Sequence, residues 1–163
     1  MPDGRPRLVV SRCLGFEACR WDGGIVESGV AQSLRDQIEV ITVCPETDAG
    51  LGVPRDPINL IMVGDDVRAI QASTGRDVTD ELKRYARNTL DELGRVDAFI
   101  LKARSPSCGL YSTKLLDSTC GVVGLASGVF AEEAQRRYPG AVFLDEEQLD
   151  RLGLEGLLRL LEA

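Results

Sequence analysis

The sequence predicts an α/β fold: a single three-layer, Rossmann-like domain with a mostly parallel sheet, spanning residues 1–163. Short apolar runs rich in β-branched or aromatic residues alternate with longer amphipathic stretches, and this alternation is typical of helices packed around a parallel sheet. The length suits one domain with a full core, and neither an internal repeat nor a linker divides the chain.

The first elements are predicted to be two buried strands joined by a helix. Residues 8–10 and 38–44 are apolar runs that end in turn-forming residues, and a helix over residues 28–37, with Ser28 as its N-cap, lies between them. Three prolines and two glycines indicate that residues 45–57 form a loop of fixed shape. Residues 59–64 and 67–72 are predicted to be two short strands that form a hairpin around Gly64-Asp65-Asp66.

Residues 79–93 carry the clearest helix pattern. Apolar side chains recur every three or four residues on one face: Leu82, Tyr85, Ala86, Leu90 and Leu93. Asp80 and Glu81 lie in the first turn, where the helix dipole favours negative charge, and Gly94 is suited to end the helix.

The last part of the chain continues the alternation. A strand, a turn, a helix and a strand are predicted in chain order: residues 97–103, 105–109, 127–138 and 141–144. Ser127 is the predicted cap of that helix. Asp145 is predicted to cap a terminal helix, and Gln148 stands at the capping-box spacing.

Composition excludes several function classes. A net charge of −7 disfavours a general nucleic-acid binder, although a tRNA substrate is not excluded. No apolar run approaches the ~20 residues of a membrane span, and residues 1–7 lack the apolar core of a signal peptide, so we expect no membrane and a cytoplasmic protein. The chain contains no histidine, so Ser-His and Cys-His catalytic pairs are excluded and acid–base work falls to other groups.

Three of the five cysteines share one setting. Cys13, Cys44 and Cys108 each follow a predicted strand, and the carboxyl ends of parallel strands meet at the edge where α/β sheets bind ligands. Convergent thiolates suggest a soft-metal or iron–sulfur site with an open position. Buried core thiols are the competing interpretation. Cys19 and Cys120 have no comparable setting and are interpreted as structural or incidental.

Several polar residues near these cysteines are candidates for chemistry. Glu46 lies two residues after Cys44 and is the leading general base, unless it is simply an exposed loop carboxylate. Ser105 and Ser107 precede Cys108 and either form the turn or bind substrate or cluster. Asp22 lies in a Gly-rich turn and either stabilises that turn or binds substrate.

Long motifs resemble one known family. They are SRCLG at residues 11–15, VCPETDAGLGVPRDPI at 43–58, GRDVT at 75–79 and FILKARSPSCG at 99–109. This pattern is similar to the 2-thiouracil desulfidases, a family long known only as a domain of unknown function. The resemblance covers residues 8–138. It departs after Cys13, where CLG and the RWDGG segment around Trp21 replace the usual CLLG and RYDG.

The resemblance implies a [4Fe-4S] cluster held by Cys13, Cys44 and Cys108, with one open iron that takes the substrate's sulfur. It places the catalytic carboxylate on Glu46 and the catalytic serine on Ser105. The expected function is [4Fe-4S]-dependent, non-redox desulfuration of a small thiolated base or nucleoside, of the 2-thiouracil, 4-thiouracil or thiouridine type, with release of sulfide. Ser107, Trp21 and Asp22 are the expected substrate-binding residues.

Alternatives from other classes remain. One is a non-catalytic protein: an iron–sulfur or zinc binding protein, or a sulfur carrier. Another is a cluster-free enzyme with a cysteine nucleophile, which would have to work without a histidine partner.

Overall fold

A computed structural model describes residues 4–17, 19–24 and 37–162. The strands are β1 (Arg7–Ser11), β2 (Glu39–Val43), β3 (Ile58–Val63), β4 (Asp66–Gln71), β5 (Ala98–Leu101), β6 (Thr113–Leu116), β7 (Val122–Ala126) and β8 (Val142–Asp145). The helices within these residues are α1 (Pro45–Asp48), α2 (Thr79–Leu93), α3 (Val129–Arg137) and α4 (Glu146–Glu162). The helix predicted over residues 28–37, with its Ser28 cap, lies almost entirely outside the described residues.

The first sheet is parallel throughout, in the order β2-β1-β5-β8. Helices cover both of its faces, which explains why its central strands are apolar without alternation. Val9 of β1 packs in a cluster with residues of α2 and α3, whereas its neighbours Leu8 and Val10 pack with Leu149 and Leu157 of α4. The α/β class and the parallel sheet are therefore confirmed.

A second sheet, in the order β4-β3-β6-β7, corrects the expectation of one sheet. β3 and β4 form the predicted antiparallel hairpin, and β6 pairs parallel with β3 and antiparallel with β7. β6 and β7 were not predicted. β7 is an edge strand whose residues are largely exposed, so it lacks the alternation of buried and exposed positions that identifies a half-buried strand.

The helix ends agree with the sequence at two positions and differ at a third. Gly94 ends α2 with a φ of 69°, and Asp145 and Gln148 exchange the hydrogen bonds of a capping box before α4. Ser127 is not the cap of α3: Gly128 is, and the Ser127 hydroxyl accepts a hydrogen bond from the Tyr111 amide instead. None of the helices in the described segments has the length and hydropathy of a membrane span.

Candidate active site

A cavity of about 350 Å³ lies at the carboxyl edge of the parallel sheet. The sequence-predicted residues that line it are Cys13, Cys44, Cys108, Glu46, Ser105, Ser107 and Trp21. β1 and β2 end in register, because Ser11 pairs with Val43, so Cys13 and Cys44 leave the sheet side by side. β5 is the other neighbour of β1, and the loop after it carries Cys108. The predicted convergence of the three cysteines is confirmed.

Asp48 ties the first two cysteine segments together. Its carboxylate accepts two hydrogen bonds from the Arg12 guanidinium (2.8 and 2.9 Å), one from the Tyr85 hydroxyl (2.9 Å) and one from the Cys44 amide (3.2 Å). Burial by itself raises the pKa of Asp48, but these hydrogen bonds outweigh burial and lower the pKa below its ordinary value. Since Arg12 precedes Cys13, one carboxylate holds together the loops that carry Cys13 and Cys44.

The turn before Cys108 is built on the Ser105 side chain. The Ser105 hydroxyl oxygen accepts hydrogen bonds from the amides of Ser107 (3.1 Å) and Cys108 (3.0 Å). Thr113 anchors the turn by donating its hydroxyl to the Ser105 carbonyl at 2.6 Å. Ser105 therefore shapes the loop that carries Cys108.

Glu46 is a buried carboxylate rather than an exposed loop residue, with 7% of its surface accessible. Its Oε1 pairs with the Arg55 Nε at 2.9 Å, and its Oε2 accepts a hydrogen bond from the Ser107 hydroxyl at 2.9 Å. A buried charge needs such partners to offset the cost of its desolvation. The short helix α1, which begins at Pro45 directly after Cys44, turns this carboxylate towards the cavity.

Burial raises the pKa of two of the three predicted ligand thiols, Cys13 and Cys108. Burial raises the pKa of Cys13 to about 11, with a further increase from the neighbouring Cys44, while the charges of Lys102 and Arg20 act in the opposite direction. Burial also raises the pKa of Cys108 far above its ordinary value. A bound cation or cluster would shift these thiols towards thiolate, because metal ligation deprotonates cysteine.

The donor set fits an iron–sulfur cluster. Cys13, Cys44 and Cys108 are soft sulfur donors that face one cavity in a chain without histidine, and thiolates are the ligands that iron–sulfur clusters take. In the parts of the chain that the structure describes, no group of three or more His, Cys, Asp or Glu side chains is arranged to hold a single metal ion.

Sequence reasoning missed two residues of the cavity, Cys19 and Arg55, and predicted a third, Asp22, that does not line it. Cys19, interpreted from sequence as structural or incidental, lines the cavity, and Arg55, the partner of Glu46, was not singled out. The only available signal for Cys19 was its position two residues before Trp21. Asp22 is not among the lining residues; its carboxylate accepts a hydrogen bond from the Gly24 amide at 2.8 Å and holds the turn. Cys120 is exposed and also lies away from the cavity.

Comparisons with known proteins agree with this site. A family model described as 2-thiouracil desulfurase matches residues 8–147. The uncharacterized protein YbbK of Bacillus subtilis (strain 168) is 36% identical over 109 residues, which are 63% of this chain and 72% of the relative. The solved structure of the [4Fe-4S]-dependent thiouracil desulfidase TudS is similar with a TM-score of 0.74 and 28% identity, covering 96% of this chain and 99% of that chain. Since the family model spans most of its length, the chain belongs to the 2-thiouracil desulfurase family.

Proposed function

We propose that this chain is a [4Fe-4S]-dependent desulfidase that replaces the sulfur of a thiolated pyrimidine by oxygen and releases sulfide without redox chemistry. The observation that carries the proposal is the meeting of three thiols and one buried carboxylate in a single cavity. Family membership and the likeness to TudS support the same reaction. The substrate class is a free base or nucleoside, such as 2-thiouracil, 4-thiouracil or 4-thiouridine.

Cys13, Cys44 and Cys108 would hold the cluster, since these thiols line the cavity at the ends of β1, β2 and β5. When bound, the cluster supplies an iron without a protein ligand, which acts as a Lewis acid towards the thiocarbonyl sulfur. The five free cysteines are consistent with a reducing compartment, so we include cytoplasmic residence in the proposal.

Glu46 is the proposed general base. Each of its carboxylate oxygens already has one protein partner, but an ionised carboxylate oxygen has a second lone pair with which to take a proton from water. Arg55 and Ser107 hold the carboxylate in one orientation, so the water it binds is delivered from a fixed direction. Hydroxide then adds to the carbon that carries the sulfur, and the sulfur departs as sulfide.

Ser105, Ser107 and Trp21 are proposed to position the heterocycle. The Ser105 hydroxyl oxygen accepts hydrogen bonds from the two turn amides, and its proton is proposed to be donated to a nitrogen or oxygen of the ring. Ser107 acts through Glu46, to which its hydroxyl proton is committed. Trp21 lines the cavity with 45% of its surface exposed, and its ring offers a face for stacking on the pyrimidine. Asp22 contributes by fixing the turn that carries Trp21.

The test is anaerobic turnover of the iron-loaded chain on 2-thiouracil, 4-thiouracil and 4-thiouridine, measured as sulfide release and product formation. Iron and acid-labile sulfide are quantified in the same preparation. We expect about four irons per chain and sulfide release from at least one substrate. Zinc in place of iron would support the alternative of a zinc binding protein. An intact cluster that turns over none of the three substrates would support the alternative of a sulfur carrier.

A further inference from the structure

Cys19 is a buried nucleophile that the proposed reaction does not use. It is 2% exposed and lines the same cavity as Cys13, Cys44 and Cys108. Four of the five cysteines thus surround one cavity, and Cys120 is exposed elsewhere. Because three thiols suffice for the proposed cluster, Cys19 needs a separate explanation.

The fold holds Cys19 against Cys44. The Cys44 Sγ lies 3.6 Å from the Cys19 carbonyl oxygen and 3.1 Å from the Thr47 hydroxyl. The Arg55 Nη1 donates to both the Cys19 carbonyl (3.0 Å) and the Thr47 hydroxyl (3.2 Å). One guanidinium therefore fixes the Cys19 segment to α1, the helix whose N-cap is Cys44. Burial raises the pKa of Cys19, and the adjacent Cys44 thiol raises it further, as expected for neighbouring sulfurs.

Burial also restricts the chemistry open to this pair. Neither residue exposes more than 8% of its surface, so a bulky thiol or a second protein chain has little access to either sulfur. Small molecules, such as hydrogen peroxide as oxidant or a small dithiol as reductant, can enter through the cavity that both residues line. An oxidised sulfur at one position would then react with a thiol of the same cavity rather than with a thiol of another protein.

We propose that Cys19 is the resolving thiol for Cys44 when the site lacks its cluster, and that the pair forms a reversible disulfide under peroxide. The Cys44 sulfur attacks the peroxide, the O–O bond breaks, and a sulfenic acid and one water result. The Cys19 sulfur then attacks the Cys44 sulfur, the S–O bond breaks, and a second water leaves. Two thiols are oxidised to one disulfide while one peroxide is reduced to two waters.

The disulfide would protect a cluster ligand. Sulfenic acid that meets no thiol is oxidised by a second peroxide to sulfinic acid, which thiol reductants do not reverse, whereas a small thiol reductant returns a disulfide to two thiols. Cys44 in the disulfide cannot bind iron, so the oxidised chain would accept no new cluster until it is reduced. This consequence rests on the proposed function, because it needs Cys44 as a ligand; the disulfide itself does not.

The experiment uses the full-length chain, freed of metal by anaerobic chelation and treated with one equivalent of hydrogen peroxide. We expect peptide mass spectrometry to identify a reducible Cys19–Cys44 crosslink and a thiol titration of the denatured chain to fall by two. After reduction, reconstitution with iron and sulfide should restore the untreated iron content. Cys120→Ser, which changes an exposed thiol away from the cavity, is the matched control and should behave like the wild type.

Cys19→Ser should form no crosslink, and a second equivalent of peroxide, which takes the unresolved Cys44 sulfenic acid to sulfinic acid, should permanently abolish its iron uptake, whereas the wild type treated in the same way should recover iron uptake after reduction. Cys19→Ala repeats the test if the serine variant folds poorly. The presence or absence of the crosslink in the wild type decides whether the disulfide forms, whatever either variant does. A crosslink between other cysteines, an unchanged thiol titration, or sulfinic acid at Cys44 in the wild type would overturn the proposal. No desulfuration is measured, so failure here is distinct from failure of the proposed function.

Discussion

At the scale of single residues, the proposed function assigns cluster binding to three thiols of the cavity and activation of water to Glu46. Serine at position 13, 44 or 108 replaces a soft donor by a hard one, so each single variant should lose the brown chromophore after anaerobic reconstitution. Absorbance and iron content measure this loss, and Cys120→Ser is the control. A full cluster in Cys108→Ser would remove that residue from the ligand set.

Glu46→Gln should keep the cluster and lose about 10²–10⁴-fold of turnover, the usual contribution of a general base. Glutamine can still accept from Arg55 through its oxygen and donate to the Ser107 hydroxyl, so the local structure is preserved, but the amide cannot take a proton. Single-turnover desulfuration at matched iron content measures the effect. Glu39→Gln, at a half-exposed carboxylate on β2 paired with Arg7, is the control. Near-normal rates in Glu46→Gln would exclude Glu46 as the base.

Asp48→Asn should weaken cluster retention, because an amide has one acceptor oxygen and cannot satisfy Arg12, Tyr85 and the Cys44 amide together. We expect iron to leave faster in the presence of a chelator under anaerobic conditions. Glu17→Gln serves as the control, since Glu17 contacts the same Arg12 at 3.6 Å but is largely exposed. Equal rates of iron loss in the two variants would contradict a positioning role for Asp48.

At the scale of elements, the start of α3 is packed against the turn that carries Cys108. A Cβ on Gly128, the N-cap, would lie 2.3 Å from the Ser107 carbonyl carbon and 2.6 Å from the Cys108 nitrogen, and backbone atoms cannot yield as a flexible side chain does. Gly128 also donates its amide to the Gly109 carbonyl at 2.8 Å. The glycine therefore permits a helix end and a ligand loop to touch.

Gly128→Ala should consequently lower the free energy of unfolding by about 1–3 kcal/mol, the usual cost of overpacking, and reduce iron content by displacing Cys108. Chemical denaturation and iron analysis measure the two effects. Gly124→Ala on β7 is matched in chemistry but meets nothing within 4 Å, so it should change neither. If Gly128→Ala matched Gly124→Ala in both measurements, the contact would not constrain the ligand loop.

Sequence could predict the elements in which apolar residues either repeat at a regular spacing or form an uninterrupted run. α2 has the predicted bounds because its apolar face repeats at helical spacing, and β1 is recognisable as an uninterrupted apolar run. β7 lacks such a signal because it is held by pairing with β6 rather than by burial. The pairing of Glu46 with Arg55 depends on the path of an irregular Pro/Gly-rich loop, and no periodicity describes such a path.

At the scale of the whole molecule, the proposed reaction exchanges sulfur for oxygen at one carbon without changing the carbon's oxidation state. The iron-loaded chain should therefore turn over repeatedly with no electron donor and lose activity in air as the exposed iron oxidises. Sulfide release is compared with and without a reductant under strict anaerobiosis, and iron content is checked before and after. Turnover that stops without a donor while the cluster stays intact would contradict the hydrolytic scheme.

The order of strands in the parallel sheet has a consequence for synthesis of the protein. Cys13 and Cys44 follow β1 and β2, the first two described strands in chain order, whereas Cys108 follows β5, which is synthesised later and pairs with the other side of β1. A chain synthesised only as far as Cys44 therefore carries two of the three thiols that the proposed cluster needs. If these three thiols hold the cluster, a complete site can form only after β5 has been synthesised and has joined β1.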